Sequence, residues 1–217
     1  MKLQILHASD LEGGVDAIGN APNFAAIVDA LEAEADAGGY GSILLSAGDN
    51  YIPGPFFNAA QFIGDDIFVD TYTALFADDL AANPDITLDV GDGRGNADIA
   101  IMNILGFDAS AVGNHEFDNG PDAFAGLIAE EVDGTTIESF GALFPYPSAN
   151  LDFSGEPALS GLVTGEILPA ADFQKTPSEL VSGAGTDAKI ADSTIIEVDG
   201  EQVGVLGTTY QIVETVS

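Results

Sequence analysis

Three short polar clusters carry the residue types that hydrolytic and metal chemistry uses, and each one directly follows an apolar run. ILHASDLEGG at residues 5–14 ends in Asp10 and Glu12, and SILLSAGDN at 42–50 ends in Asp49 and Asn50. FDASAVGNHEFDNG at 107–120 ends in Asn114, His115, Glu116 and Asp118. Carboxylate and amide oxygens are hard ligands for divalent cations. A histidine three residues from an aspartate can exchange a proton near neutral pH. An acidic residue after a strand is more often a turn or a helix cap than a ligand. The chemistry therefore depends on whether the three clusters meet.

The flanking elements are those of a parallel sheet. LQILH at 3–7 reads as a strand. In the following helix Pro22 suits the first turn, Phe24, Ile27, Val28 and Leu31 keep an i, i+3, i+4, i+7 spacing, and Gly38-Gly39 ends it. SILLSAG is a second strand, so the opening is a β-α-β unit, and ligands of such sheets gather beyond the carboxyl ends of the strands. Residues 53–90 hold short helical patterns rich in Phe and Asp. Phe56, Phe57, Phe62, Phe68 and Phe76 read there as packing residues rather than a stacking platform. DVGDGRGNAD at 89–98 reads as an exposed loop, an ordinary glycine turn rather than a calcium site because its hard oxygen ligands lack the spacing and distal Glu of the EF-hand loop, 97–105 as a helix, and FDASAV as a third buried strand. A helix is expected near 121–131 and a looser Gly-, Pro- and Ser-rich region at about 140–190. A hairpin turning at Asp199-Gly200 closes the pattern. His7, inside the first strand, reads as a structural residue or one supporting a ligand.

Composition narrows the function. The chain has 217 residues and 46% hydrophobic content, enough for one well-filled domain. It carries 36 acidic residues against 4 basic ones, a formal net charge of -32. A polyanionic nucleic acid is thereby a poor partner, and a salt- or calcium-rich setting fits, because screening relieves self-repulsion. No cysteine is present, so disulfides and thiolate metal sites are excluded. No stretch has the length of a membrane span, and the first residues lack the apolar run of a signal peptide.

ILHASDLEGG, SAGDN, MNILGFDASAVGNHEFDNG, FPYPSANL and VGVLGTT together resemble the calcineurin-like metallophosphoesterases, in particular the 5'-nucleotidase and 2',3'-cyclic phosphodiesterase branch. The resemblance spans nearly all of residues 1–217 except about 55–90, which looks like an insertion. It implies an α/β sandwich of two packed sheets flanked by helices, here C-terminally incomplete and part of a longer chain, because further ligand histidines of the family would lie downstream. It also implies hydrolysis of a small phosphate ester, above all a nucleotide, by a metal-activated water at a dinuclear centre. Asp10, Asp49 and Asn114 correspond to metal ligands, with Asp49 bridging, and His115 with Asp118 to the catalytic pair. Asn50, Asn114 and His115 would face the substrate. Where the family has His this chain has Glu12, which either ligates and moves preference from zinc toward manganese, magnesium or calcium, or points away. The implied location is extracellular or periplasmic.

Charge leads independently to ions. Phosphoryl transfer needs positive charge around the phosphate oxygens. The fixed cations are Lys2, Arg94, Lys175 and Lys189, and none lies in the three clusters. The alternative reading is a non-catalytic acidic, calcium-binding module of a larger secreted protein that keeps the same fold.

Overall fold

The computed structural model of the chain describes residues 2–11, 15–59, 65–91 and 93–210. Its elements in order are β1 (Leu3–His7), α1 (Val15–Ala37), β2 (Gly41–Ser46), α2 (Pro55–Ala59), α3 (Asp65–Leu75), α4 (Ala77–Ala82), β3 (Thr87–Leu88), α5 (Asn96–Leu105) and β4 (Ala109–Ser110). A 3-10 turn at His115–Phe117 leads to α6 (Pro121–Ile128), β5 (Glu131–Asp133), β6 (Thr136–Ser139), β7 (Tyr146–Pro147), α7 (Pro157–Ser160), β8 (Val163–Thr164) and β9 (Leu168–Pro169). A second 3-10 turn, α8 (Pro177–Ser182), β10 (Ile190–Ala191), β11 (Ser193–Val198) and β12 (Glu201–Leu206) follow.

The fold is α/β, and its centre is the parallel set β1-β2-β4. β1 runs beside β2 from Leu3↔Gly41 to His7↔Leu45, and β2 pairs β4 at Leu45↔Ala109 and Ser46↔Ser110. The parallel set β7-β10-β8 continues this sheet, since the Ser110 N–H donates to Pro145 O at 3.1 Å beside β7. β2 is buried on both faces, as a central parallel strand must be. Leu44 packs with Val28, Met102, Phe107 and Phe144 on the helical side. Ile43 packs with Ile196 and Val198 of the β12-β11-β9 sheet on the other, so two sheets lie face to face. A third, outlying group, β3-β6-β5, covers the stacked rings of Tyr72, Phe76 and Phe140. Among the described residues no helix is long and apolar enough to cross a membrane.

Several local expectations need correction. α1 starts at Val15, and Pro22 lies inside it rather than in its first turn. The inward stripe is Phe24, Val28, Leu31 and Ala35, with Val28 and Ala35 buried and Phe24 and Leu31 half-buried, whereas Ile27 is 57% exposed, because the helix meets the sheet along the 24-28-31-35 line. Residues 96–98 belong to α5 and are largely buried, so the glycine turn is confined to about 93–95. FDASAV contributes only two strand residues. The helix near 121–131 stops at Ile128, and Glu131 already belongs to a strand. Between 140 and 190 the loose composition conceals core residues: Phe140, Phe144, Tyr146 and Phe173 are all buried. Phe57 and Phe68 are core residues as expected, and Phe62 lies outside the described residues. The closing hairpin forms as read, with Asp199 and Gly200 both at positive φ, 54° and 77°.

Two of the four fixed cations are committed inside the fold. Lys189 is 1% exposed, donates to Ala142 O at 2.9 Å and lies 2.9 Å from Glu130 Oε1. Lys175 binds Glu130 Oε2 at 2.9 Å and Asp187 Oδ1 at 2.7 Å. Glu130 thus lies between two buried ammonium groups, and Lys175 shares Asp187 as a second partner. Removing Glu130 should be worse than losing the pair as a whole, because the buried Lys189 ammonium then keeps, among the described residues, only the Ala142 carbonyl that it bonds. Glu130→Ala is expected to lower the unfolding free energy by about 3–5 kcal/mol, measured by urea titration.

Candidate active site at the ends of three parallel strands

Parallel register brings the three clusters to one end of the sheet. The Asp10 N–H donates to Gly48 O at 3.1 Å, which ties the first loop to the second. The second and third loops approach more closely still. A Cβ on Gly48 would collide with the backbone of Gly113, and one on Gly113 would collide with Asp49 and with Glu116 Oε2. Only glycine permits this contact, and Gly48 also has φ +99°. Asp10 and Asp49 each take a left-handed backbone, both at φ 53°, which is unusual without glycine.

Hydrogen bonds lock the second loop to the third. Glu116 is 1% exposed, and its Oε2 accepts the Asp49 N–H at 3.0 Å. Its Oε1 accepts the Asn50 N–H at 3.1 Å and Asn50 Nδ2 at 3.2 Å. In return the His115 N–H donates to Asp49 Oδ1 at 2.8 Å. Asn50 is itself buried: its Nδ2 also donates to Ser110 Oγ, and its Oδ1 accepts from Ser46 Oγ at 2.5 Å. That arrangement makes Asn50 a brace between strand ends rather than a group open to solvent. Burial pushes the Glu116 carboxyl up to about 7, against the pull of the Asn50 and Asp49 N–H groups, and the Asp49 charge adds to the rise.

His115 and Asp118 form a pair, with Nδ1 2.8 Å from Asp118 Oδ2. The Asp118 carboxylate favours the tautomer with its proton on Nδ1, which places the acceptor lone pair on Nε2. His7 is exposed at the end of β1. Glu12 lies outside the described residues.

The donor set suits a hard cation. Asp49 Oδ2, Asp10 Oδ1 and the Asn114 amide have no hydrogen-bond partner among the described residues, while Asp10 Oδ2 accepts from Ser9 Oγ at 2.6 Å. Two carboxylates and an amide with uncommitted oxygens, on loops that touch, match the preferences of manganese, magnesium or calcium. Among the described residues no group of three or more His, Cys, Asp or Glu is placed to hold a metal ion, so Asp10 and Asp49 need the amide and other donors beside them.

Behind the first two loops lies a cavity of about 220 Å³ between α1 and α5, lined by Leu11, Phe24, Asn50, Asp98, Ile101 and Leu105 among others. Asp98 is buried there, its Oδ2 has no hydrogen-bond partner among the described residues, and desolvation raises its carboxyl to about 7. On the far side of the third loop Arg94 and Asn119 line an open cleft of about 670 Å³.

Comparison with known proteins agrees with this fold. No family model matches the chain. It is 35% identical over 149 residues to the trifunctional nucleotide phosphoesterase protein YfkN of Bacillus subtilis, a match covering 62% of this chain and 9% of that protein. It is 33% identical over 101 residues to the 5'-nucleotidase of Rattus norvegicus, covering 42% of this chain and 16% of that one. The fold superposes on a 5'-nucleotidase precursor from Thermus thermophilus with TM-score 0.53 at 23% identity, over 99% of this chain and 30% of that one. The NAD nucleotidase of Haemophilus influenzae gives 0.50 at 19% identity, over 96% and 26%.

The chain is similar in sequence and in fold to the 5'-nucleotidase phosphoesterases. Its sequence and fold both match their N-terminal part, as the motifs indicated, and it spans between about a tenth and a third of their length.

Two outcomes follow from this geometry. Gly113→Ala should destabilise by about 1–3 kcal/mol, the range for overpacking a filled site, as read from urea unfolding. Asp98→Asn should act through pH. A carboxyl raised from 3.8 to about 7 by folding destabilises the native state once it ionises, so the parent loses stability as pH rises between those values. The variant should match the parent near pH 3.5 and exceed it by up to a few kcal/mol at pH 8, in pH-resolved urea melts.

Proposed function

We propose that this chain carries the phosphate-ester hydrolase site of a 5'-nucleotidase-type enzyme, acting on a nucleotide or similar small ester. The observation that supports it most directly is the meeting of the Asp10, Asp49 and Asn114 loops at the carboxyl ends of β1, β2 and β4. Asp10, Asp49 and Asn114 would hold the divalent ions. Bound ions would supply the positive charge that phosphate oxygens require and would make a water acidic enough to attack. Asp118 orients the His115 ring, and His115 Nε2 delivers a proton to the leaving oxygen or stabilises the charge growing on it. Asn114, next to His115, also contacts the substrate phosphate, while Asn50 braces the loop.

Charge supports this division of labour. Lys175 and Lys189 are occupied by Glu130 and Asp187, and Lys2 lies 3.4 Å over the Tyr40 ring. No Lys or Arg pairs with Asp10 or Asp49 among the described residues. Residues 55–90 form an insertion in the catalytic domain, and the protein works outside the cytoplasm, where salt screens its 36 acidic groups.

The test is to strip the chain with chelator, restore Mn²⁺, Mg²⁺, Ca²⁺ or Zn²⁺ singly, and assay bis-p-nitrophenyl phosphate, a 5'-nucleotide and a 2',3'-cyclic nucleotide. Metal-dependent release of phosphate or nitrophenol is expected, and His115→Ala should lower kcat about 10²- to 10⁴-fold while leaving Mn²⁺ affinity in place. Calcium binding with no turnover of any substrate would favour the non-catalytic module instead.

A further inference from the structure

We propose that Glu116 is a positioning residue: its buried carboxylate holds Asp49 in the left-handed backbone conformation and thereby aims the Asp49 side chain at the cation site. The inference rests on the metal-site reading above and adds a residue to it.

Among the described residues three non-glycine positions have positive φ: Asp10, Asp49 and Asp199. Asp199 sits in a two-residue hairpin turn that demands it. Asp49 has no such local reason, because it leaves the end of a parallel strand. A strained backbone of this kind persists only where surrounding contacts over-determine it. At Asp49 those contacts come from one short turn: Glu116 Oε2 takes its N–H at 3.0 Å, and the His115 N–H donates to its Oδ1 at 2.8 Å. Glu116 Oε1 then fixes the next peptide through the Asn50 N–H at 3.1 Å. One oxygen of Asp49 is thus committed to the third loop and the other stays available.

The geometry also explains why the holder is a carboxylate. Three N–H groups converge on two oxygens, and a carboxylate is acceptor-only when ionised. Glutamine in its place would turn an amide N–H₂ toward N–H donors. Gly113 leaves the room that Glu116 Oε2 needs against Asp49, since any Cβ there would strike both.

The test compares the parent with Glu116→Gln and Glu116→Asp, the latter keeping the charge but one methylene shorter. Mn²⁺ affinity is read by electron paramagnetic resonance and the Asp49 and Asn50 amide resonances by NMR, with no activity assay involved. Both variants should fold, shift those two amides and bind Mn²⁺ about 10- to 100-fold more weakly, the range for groups that support metal ligands. Phe173→Leu, a core change in a separate cluster, should lower the melting temperature and leave Mn²⁺ affinity unchanged. Where Gln at 116 prevents folding, the Asp variant alone decides. A parent that binds Mn²⁺ beside folded Glu116 variants that bind it equally well would overturn the positioning role alone. A parent that binds no Mn²⁺ would overturn the metal-site reading and this proposal with it.

Discussion

The candidate site depends on one buried carboxylate meeting three N–H donors. Glu116 joins the loop after β2 to the loop after β4, and neither loop could lie so close without it and without Gly48 and Gly113. Buried N–H groups left without acceptors cost more than a hydrogen bond contributes, so this contact is all-or-none. The opposing bond from His115 to Asp49 closes the link from the other side. Two backbone segments separated by more than sixty residues in sequence are thereby held as one rigid surface, and the Asp10 loop hangs on it through Gly48.

Rigidity of that kind is useful because of the chain's charge. With 36 acidic and 4 basic residues, carboxylates placed together repel one another unless something fixes them or neutralises them. Glu116 and Asp98 show the consequence of burial, each with a carboxyl raised to about 7. Lysine is used sparingly to answer it. Lys175 and Lys189 sit around Glu130 where the 140–190 region closes against α6, and they stabilise the fold rather than a ligand. At the strand ends, by contrast, no Lys or Arg pairs with Asp10 or Asp49 among the described residues.

How much was legible in the residues varies with the range of the interaction. The β-α-β opening, α5 and the Asp199-Gly200 hairpin follow from local periodicity and turn chemistry, and all three are present. The start of α1 was misplaced because a proline that suits a first turn can also be carried within a long helix. Thr176-Pro177-Ser178-Glu179 is a complete capping box that opens α8, yet the Gly- and Ser-rich surroundings hid it. Lys189 gave no sign of burial, since its environment is assembled from Ala142 and Glu130, which are remote in the chain.

The residue types alone determined the chemistry available here: hard oxygen donors after three strands, a His-Asp pair at i, i+3, and no thiolate or nearby fixed cation. They also determined the α/β class, because alternating strand and helix periods allow few other arrangements. Only the tertiary structure decided which of these side chains are buried in hydrogen bonds between the loops and which keep an oxygen open. Asn50 and Glu116 stand among the same polar letters as Asp49 and Asn114, and a cluster read along the chain does not say which members turn inward. That choice is made by the register of β1, β2 and β4, which sets the loops side by side, and by the space two missing Cβ atoms leave between them.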